Sequence, residues 1–149
     1  MKRILAVSSG GGHWVELLRL APAFAGHDLV IATVSETYRV EAPECRRFYA
    51  VRDVTRWDGW RCLITLAQLA WIVARERPQV VISTGALPGY FAVWLARWVG
   101  ARTIWVDSIA NVEELSLSGQ RAGAFADLWL TQWPDLARPQ GPLYRGAVL

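Results

Sequence analysis

Apolar residues along the chain fall into short runs separated by longer stretches of helical spacing. Arg3 to Val7 is a brief apolar run that ends in Ser8-Ser9-Gly10-Gly11-Gly12, and His13 to Phe24 then places Val15, Leu17, Leu18, Leu20 and Ala21 near helical spacing. Further runs at Leu29 to Thr33, Val80 to Ser83, Thr103 to Val106 and Leu128 to Thr131 predict strands, and Phe48 to Val51 offers another. Helices are predicted over Trp57 to Arg75, Gly89 to Val99 and Leu117 to Phe125, with Gly85 and Pro88-Gly89 breaking the uncharged stretch after Pro78 into strand, turn and helix. Apolar strands alternating with helices imply a parallel sheet buried on both faces. The expected fold is therefore α/β, a Rossmann-like doubly wound sheet in one domain. Ala137 to Pro142 reads as a loop that presents Leu143 to Leu149 as an edge strand or docking segment.

One helix departs from a simple amphipathic pattern. Cys62 to Ala74 runs thirteen residues without a charge, too short for a bilayer, which needs roughly 20 residues. Its apolar positions, Ile64 and Trp71 among them, extend almost around the helix, so one side can pack on the sheet while the other lacks a polar cover. Trp57 and Trp60 precede it beside Arg56 and Arg61, and Arg75 closes the far end. Tryptophan and arginine around an apolar helix suit the headgroup layer of an anionic membrane. A core helix, or one buried against a partner chain, is the alternative.

Composition sharpens this reading. The chain has 149 residues, 53% of them hydrophobic and only 19% charged, which favours an apolar surface covered by lipid or by a partner. Its nine tryptophans point the same way, since indoles favour such boundaries. The net charge of +3 is carried almost wholly by arginine, with Lys2 the only lysine, and suits phosphate groups without implying nucleic acid as a partner. Cys45 and Cys62 have no metal-ligand spacing, so reduced thiols are expected and no metal site. Met1-Lys2-Arg3 followed by only four apolar residues reads as the approach to a first strand rather than a signal peptide, and predicts a cytosolic protein.

The chemistry is expected where strands end. A glycine-rich turn entering a helix leaves backbone N–H groups for an anion, which makes Ser9, Gly10, Gly11 and Gly12 candidates for a phosphate or carboxylate. The spacing is neither GxGxxG, since Val15 occupies the third glycine position, nor a Walker A loop, so dinucleotide binding and NTP hydrolysis are disfavoured and no cofactor is expected. His13 follows the glycines at the mouth of the predicted site and can accept a proton near neutral pH. Glu16, one turn on, can orient the imidazole or cap the helix. Two further turns, Ser83-Thr84-Gly85 with Pro88-Gly89 and Asp107-Ser108-Ile109-Ala110-Asn111, should emerge on the same sheet edge. Asp107 can bind a sugar hydroxyl, act as an alternative base or cap a helix.

Ordered segments carry a resemblance over nearly the whole chain. They are Ser9 to Leu20, Val81-Ile82-Ser83-Thr84-Gly85 with Pro88-Gly89, Val106 to Asn111, Leu115 to Gly119, and Ala126-Asp127-Leu128 with Gln132-Trp133-Pro134. Together they resemble the membrane-anchoring subunit of the split UDP-N-acetylglucosamine transferase of asparagine-linked glycosylation. The likeness is strongest to that family's bacterial relatives in capsule and exopolysaccharide synthesis, the PssD type, with a more distant likeness to the peptidoglycan transferase MurG. Asp107 and Asn111 stand where the family usually carries glutamate and arginine, and the transmembrane helix that begins eukaryotic members has no counterpart here.

The resemblance implies the N-terminal, acceptor-side half of a GT-B glycosyltransferase, peripheral at the cytoplasmic face of the inner membrane. A separate subunit with a GT-B C-terminal domain would bring the UDP-sugar, and the acceptor would be a polyprenyl-diphosphate-linked saccharide. By analogy His13 is the base that deprotonates the acceptor hydroxyl, with Glu16 supporting the loop. Residues Ser9 to Gly12, Thr84, Gly85, Pro88, Gly89, Asp107, Ser108 and Asn111 would face the acceptor and its phosphates, and Trp57, Trp60, Arg61, Ile64, Trp71 and Arg75 the membrane. The competing expectation is a non-catalytic anchor that activates its partner. A stand-alone nucleotide-binding oxidoreductase fits the fold but not the glycine spacing.

Overall fold

A computed structural model describes all 149 residues. Seven strands form one fully parallel sheet in the order β3-β2-β1-β4-β5-β6-β7: β1 (Arg3–Val7), β2 (Asp28–Thr33), β3 (Arg47–Ala50), β4 (Val80–Ser83), β5 (Arg102–Val106), β6 (Leu128–Thr131) and β7 (Leu143–Tyr144). The expected α/β Rossmann-like, doubly wound fold is the observed one. The strand expected over Phe48 to Val51 is present one residue earlier, as β3, and the tail supplies a short edge strand, β7, which pairs with β6.

Successive side chains of β1 enter different cores, because strand residues alternate between faces. Leu5 and Val7 join the core beneath α2 (Arg61–Glu76), α3 (Ala86–Ala96) and α4 (Leu117–Ala122). Ile4 and Ala6 join a second core closed by Trp14 and Leu17 of α1 (Gly12–Arg19) with Phe24. Burial on both faces is why these strands read as continuous apolar runs.

Helix boundaries differ from expectation: α3 ends at Ala96 and passes into a 3-10 turn, α4 ends at Ala122, and three further differences involve proline or tryptophan. The first helix ends at Arg19, and Ala21–Phe24 continues as a 3-10 turn with Pro22 near its start, since proline has no N–H for an α-helical bond. Trp57 and Trp60 lie in the loop before α2, which starts at Arg61. Pro88 and Gly89 do not break the chain: α3 begins at Ala86, so Pro88 falls in its first turn, where a missing N–H costs little.

The chain runs from β1 outward to β3, then crosses back to lay β4 on the other side of β1. That reversal opens a crevice between the loops that leave β1 and β4, the place where open α/β sheets bind ligands.

Candidate functional site

A cleft of about 560 Å³ lies at this edge. Four connections wall it: Ser9 and His13 after β1, Asp53 to Arg56 after β3, Ala86, Leu87 and Tyr90 after β4, and Ser108, Ala110, Asn111, Ser116 to Ser118 and Arg121 after β5.

His13 is held on three sides. Its Nδ1 lies 3.0 Å from the Thr84 carbonyl oxygen. A carbonyl only accepts, so Nδ1 is the donor and the neutral ring keeps its lone pair on Nε2. The Thr84 hydroxyl in turn donates to the His13 carbonyl at 2.7 Å. Gly85, at a φ of 132°, provides the seat: a Cβ there would lie 2.7 Å from the imidazole Cε1. Thr84 and Gly85 thus act on His13 from behind the cleft wall.

Glu16 does not touch the imidazole, contrary to expectation. It is buried, and one carboxylate oxygen accepts from the Ser108 hydroxyl at 3.2 Å, the Ile109 amide at 2.7 Å and the Gln132 side chain at 3.1 Å. Its helical position turns it toward β5 and β6, where it ties α1 to the loop after β5 and so sets the spacing of two cleft walls. Gln132 also donates to the Asp107 carbonyl at 3.0 Å, and Trp133 donates to the Ile109 carbonyl at 2.7 Å. The Gln-Trp pair therefore serves the same loop.

Asp107 is likewise not open to a ligand. It is buried and its two oxygens accept from the Trp105 indole at 3.1 Å, the Asn111 amide at 3.1 Å, the Ser116 amide at 3.0 Å and the Ser116 hydroxyl at 2.6 Å. Four donors occupy a carboxylate's acceptor sites, so it organises the loop and neither binds a sugar nor serves as a base. Pro88 and Gly89 are buried in α3, and a Cβ at Gly89 would lie 1.8 Å from Ser83 Oγ. Gly89 lets the helix approach β4 rather than contacting a phosphate. Gly10 to Gly12 lie outside the lining of the cleft, and the Gly11 amide donates to the Tyr38 hydroxyl at 3.1 Å. Ser9, Ser108 and Asn111 do line it.

The wall from Asp53 to Arg56, with Tyr90 and Arg121, was not signalled by any motif. The clue was available in principle: if Phe48 to Val51 is a parallel strand, the loop that follows must emerge at the same edge as His13. That loop is fastened. Asp58 accepts from the Thr55 amide at 2.5 Å and hydroxyl at 3.1 Å, and these bonds, the amide foremost, hold its carboxyl below the usual range. The Thr65 hydroxyl of α2 donates to the Arg52 carbonyl at 2.8 Å, and the Arg52 amide donates to Gln68 at 2.9 Å.

The outer face of α2 is apolar. Leu63, Ala67, Trp71 and Ala74 form an exposed stripe one helical turn apart, while Thr65, Leu69, Ile72 and Val73 face the core. Ile64 is half-buried, so the stripe runs through its neighbour Leu63 instead. Trp57 and Trp60 extend the stripe beyond the helix, and Arg56, Arg61 and Arg75 place their guanidinium carbons 4.6, 6.0 and 5.2 Å from the ring centroids of Trp57, Trp60 and Trp71. No helix is long and apolar enough to cross a membrane.

Comparison with solved structures gives the same architecture. MurG of Acinetobacter baumannii superposes with a TM-score of 0.78 at 12% identity, covering 99% of this chain and 46% of that one. The UDP-GlcNAc 2-epimerase of Methanocaldococcus jannaschii gives 0.63 at 12% identity, covering 87% and 39%. These likenesses concern fold, and this chain spans less than half of either protein. In sequence, the UDP-N-acetylglucosamine transferase subunit ALG14 of Eremothecium gossypii is 30% identical over 171 residues, covering 92% of this chain and 75% of that protein. The subunit of the same name from Rattus norvegicus is 27% identical over 165 residues, covering 89% and 76%. The family model described as oligosaccharide biosynthesis protein Alg14 like matches residues 32–148, and the chain belongs to this Alg14-like family.

Proposed function

We propose that this chain is the acceptor-side subunit of a two-component glycosyltransferase, in which a separate donor-binding subunit presents a UDP-sugar across the cleft. The observation that carries the reading is His13. Its Nδ1 is committed to the Thr84 carbonyl, which leaves Nε2 as the basic nitrogen of a residue that lines the cleft. In the reaction, Nε2 takes the proton of an acceptor hydroxyl as that oxygen bonds to the sugar's anomeric carbon, and the bond from that carbon to the diphosphate breaks to release UDP. Ser9, Ser108 and Asn111 are among the polar residues that line the cleft beside His13 and bear on the acceptor.

The acceptor is a polyprenyl-diphosphate-linked saccharide, delivered by a membrane on which the chain rests peripherally through Trp57, Trp60, Leu63 and Trp71 with Arg61 and Arg75, at the cytoplasmic face of the inner membrane. The exposed apolar stripe and its arginine fringe support this. The names of the relatives support UDP-N-acetylglucosamine as donor and a subunit role. Capsule or exopolysaccharide synthesis is the setting suggested by sequence resemblance, and it is carried by no name among these relatives.

The same apolar face also suits a subunit that only anchors and activates its partner. Turnover of a lipid-linked acceptor with the UDP-sugar decides between the two. The reading expects activity only when both subunits are present, and expects His13→Ala to abolish turnover while partner binding persists. Equal activity of the chain alone would overturn the split enzyme, and full turnover by the His13→Ala complex would establish the anchor.

A further inference from the structure

Two arginines face the cleft from different elements. Arg56 belongs to the loop after β3 and Arg121 to α4, and neither forms an ion pair with any carboxylate of the chain. Asp53 is the one carboxylate that lines the cleft, so its walls carry a surplus of positive charge beside His13. Arg56 does not dangle. Its loop is pinned to α2 by the Thr65 and Gln68 bonds, and its guanidinium stacks 4.6 Å from the centroid of exposed Trp57.

That stacking puts Arg56 at the junction of two surfaces. On one side is the polar cleft with His13, on the other the apolar stripe that begins at Trp57 and Trp60. A ligand matching both has an anionic group joined to an apolar tail. Guanidinium forks suit phosphate oxygens, which they can meet bidentately.

We propose that Arg56 and Arg121 form the diphosphate clamp of the cleft, gripping the lipid-linked diphosphate of the acceptor while its tail leaves over Trp57 and Trp60. The clamp rests on the acceptor-side reading and moves the phosphate site from the glycine turn, which lies outside the cleft lining, to side chains on the facing walls. Asp53 opposes the bound charge and tunes its affinity downward.

The test is equilibrium binding to the full chain, alone and with its partner subunit, using geranyl diphosphate, geraniol as a tail control and UDP as the competing source of a diphosphate. The clamp predicts that Arg56→Gln and Arg121→Gln each weaken geranyl diphosphate about tenfold, the loss of one charge-assisted contact. Geraniol binding should not change in Arg121→Gln, Asp53→Asn should bind geranyl diphosphate more tightly, and thermal melts should match the wild type. Unchanged geranyl diphosphate affinity in both arginine variants overturns the clamp but leaves the acceptor-side reading intact. Preference of the wild type for UDP, lost in the arginine variants, overturns both. Absence of binding to either diphosphate overturns the clamp.

Discussion

His13 and Thr84 hold each other twice, side chain to backbone in each direction, across the crevice between the loops that leave β1 and β4. Thr84→Val removes only the hydroxyl bond, and Thr84→Ser keeps it. We expect Thr84→Val to lose about 1 kcal/mol of stability in urea melts, the usual net worth of one hydrogen bond. Its assembled complex should lose kcat with little change in KM for the UDP-sugar. Equal kcat for the valine and serine variants would show that the pair does not position the imidazole.

The sheet and the place of His13 were readable because both depend on local pattern. Apolar runs bounded by glycine turns mark β1, β4 and β5, and parallel strands oblige their following loops to share an edge. The roles of Glu16 and Asp107 were not readable. Glu16 meets Ser108, Ile109 and Gln132 only through the pairing of β5 with β6 and the packing of α1, and a single sequence carries no register between distant strands. Asp107 finds Trp105 and Ser116 close by in the chain, but the loop that folds Ser116 back onto it has no sequence signature. Pro88 misled for a related reason: proline marks a break in a helix interior but is tolerated in a first turn, and the start of α3 is set by Gly85 and Ala86.

Asp107 should matter to stability before chemistry. Asp107→Ala strands the Trp105 indole and the Ser116 amide, so a loss of about 2–4 kcal/mol is expected in denaturant melts. Gly119→Ala probes the same contact from the opposite side, because its Cβ would lie 2.2 Å from Asp107 Oδ1. Both should loosen the Ser108–Ser116 segment to amide exchange. If Asp107→Ala keeps wild-type stability and loses only turnover, its structural assignment is wrong.

Far from the cleft, Asp28 accepts from Arg3 at 2.9 Å and from Arg46 at 3.0 Å. The Arg3 hydrogen bond is the largest influence, and with the Arg46 hydrogen bond and the charges of both arginines it outweighs the opposing effect of burial and lowers the Asp28 pKa. A carboxylate whose folded pKa is depressed adds stability above its unfolded pKa of about 3.9 and loses it as pH falls through the folded value. Asp28→Asn should therefore cost about 0.5–1 kcal/mol at neutral pH, as expected for partly exposed pairs. The gap between variant and wild type should close only below the ordinary carboxylate range. A gap independent of pH down to strong acid would assign the effect to packing.

Two residues other than glycine have positive φ, Arg77 at 46° and Ala86 at 65°. Arg77 ends α2 in the left-handed conformation that glycine favours, so Arg77→Gly should raise stability by roughly 0.5–1 kcal/mol, the relief of Cβ crowding exceeding the added freedom of the unfolded chain. Ala86→Gly should raise it by a similar amount for the same reason. The two sites differ in what the strain does. Arg77 lies away from the cleft, whereas Ala86 lines it and fixes the entry of α3, which carries Leu87 and Tyr90 into the wall. Strain held at a ligand site persists where it fixes a geometry that function needs. Arg77→Gly should thus leave turnover of the assembled complex unchanged, while Ala86→Gly, though more stable, should lower it. Stabilisation with unchanged kcat in Ala86→Gly would mean that the strain serves only the close packing of α3 on β4.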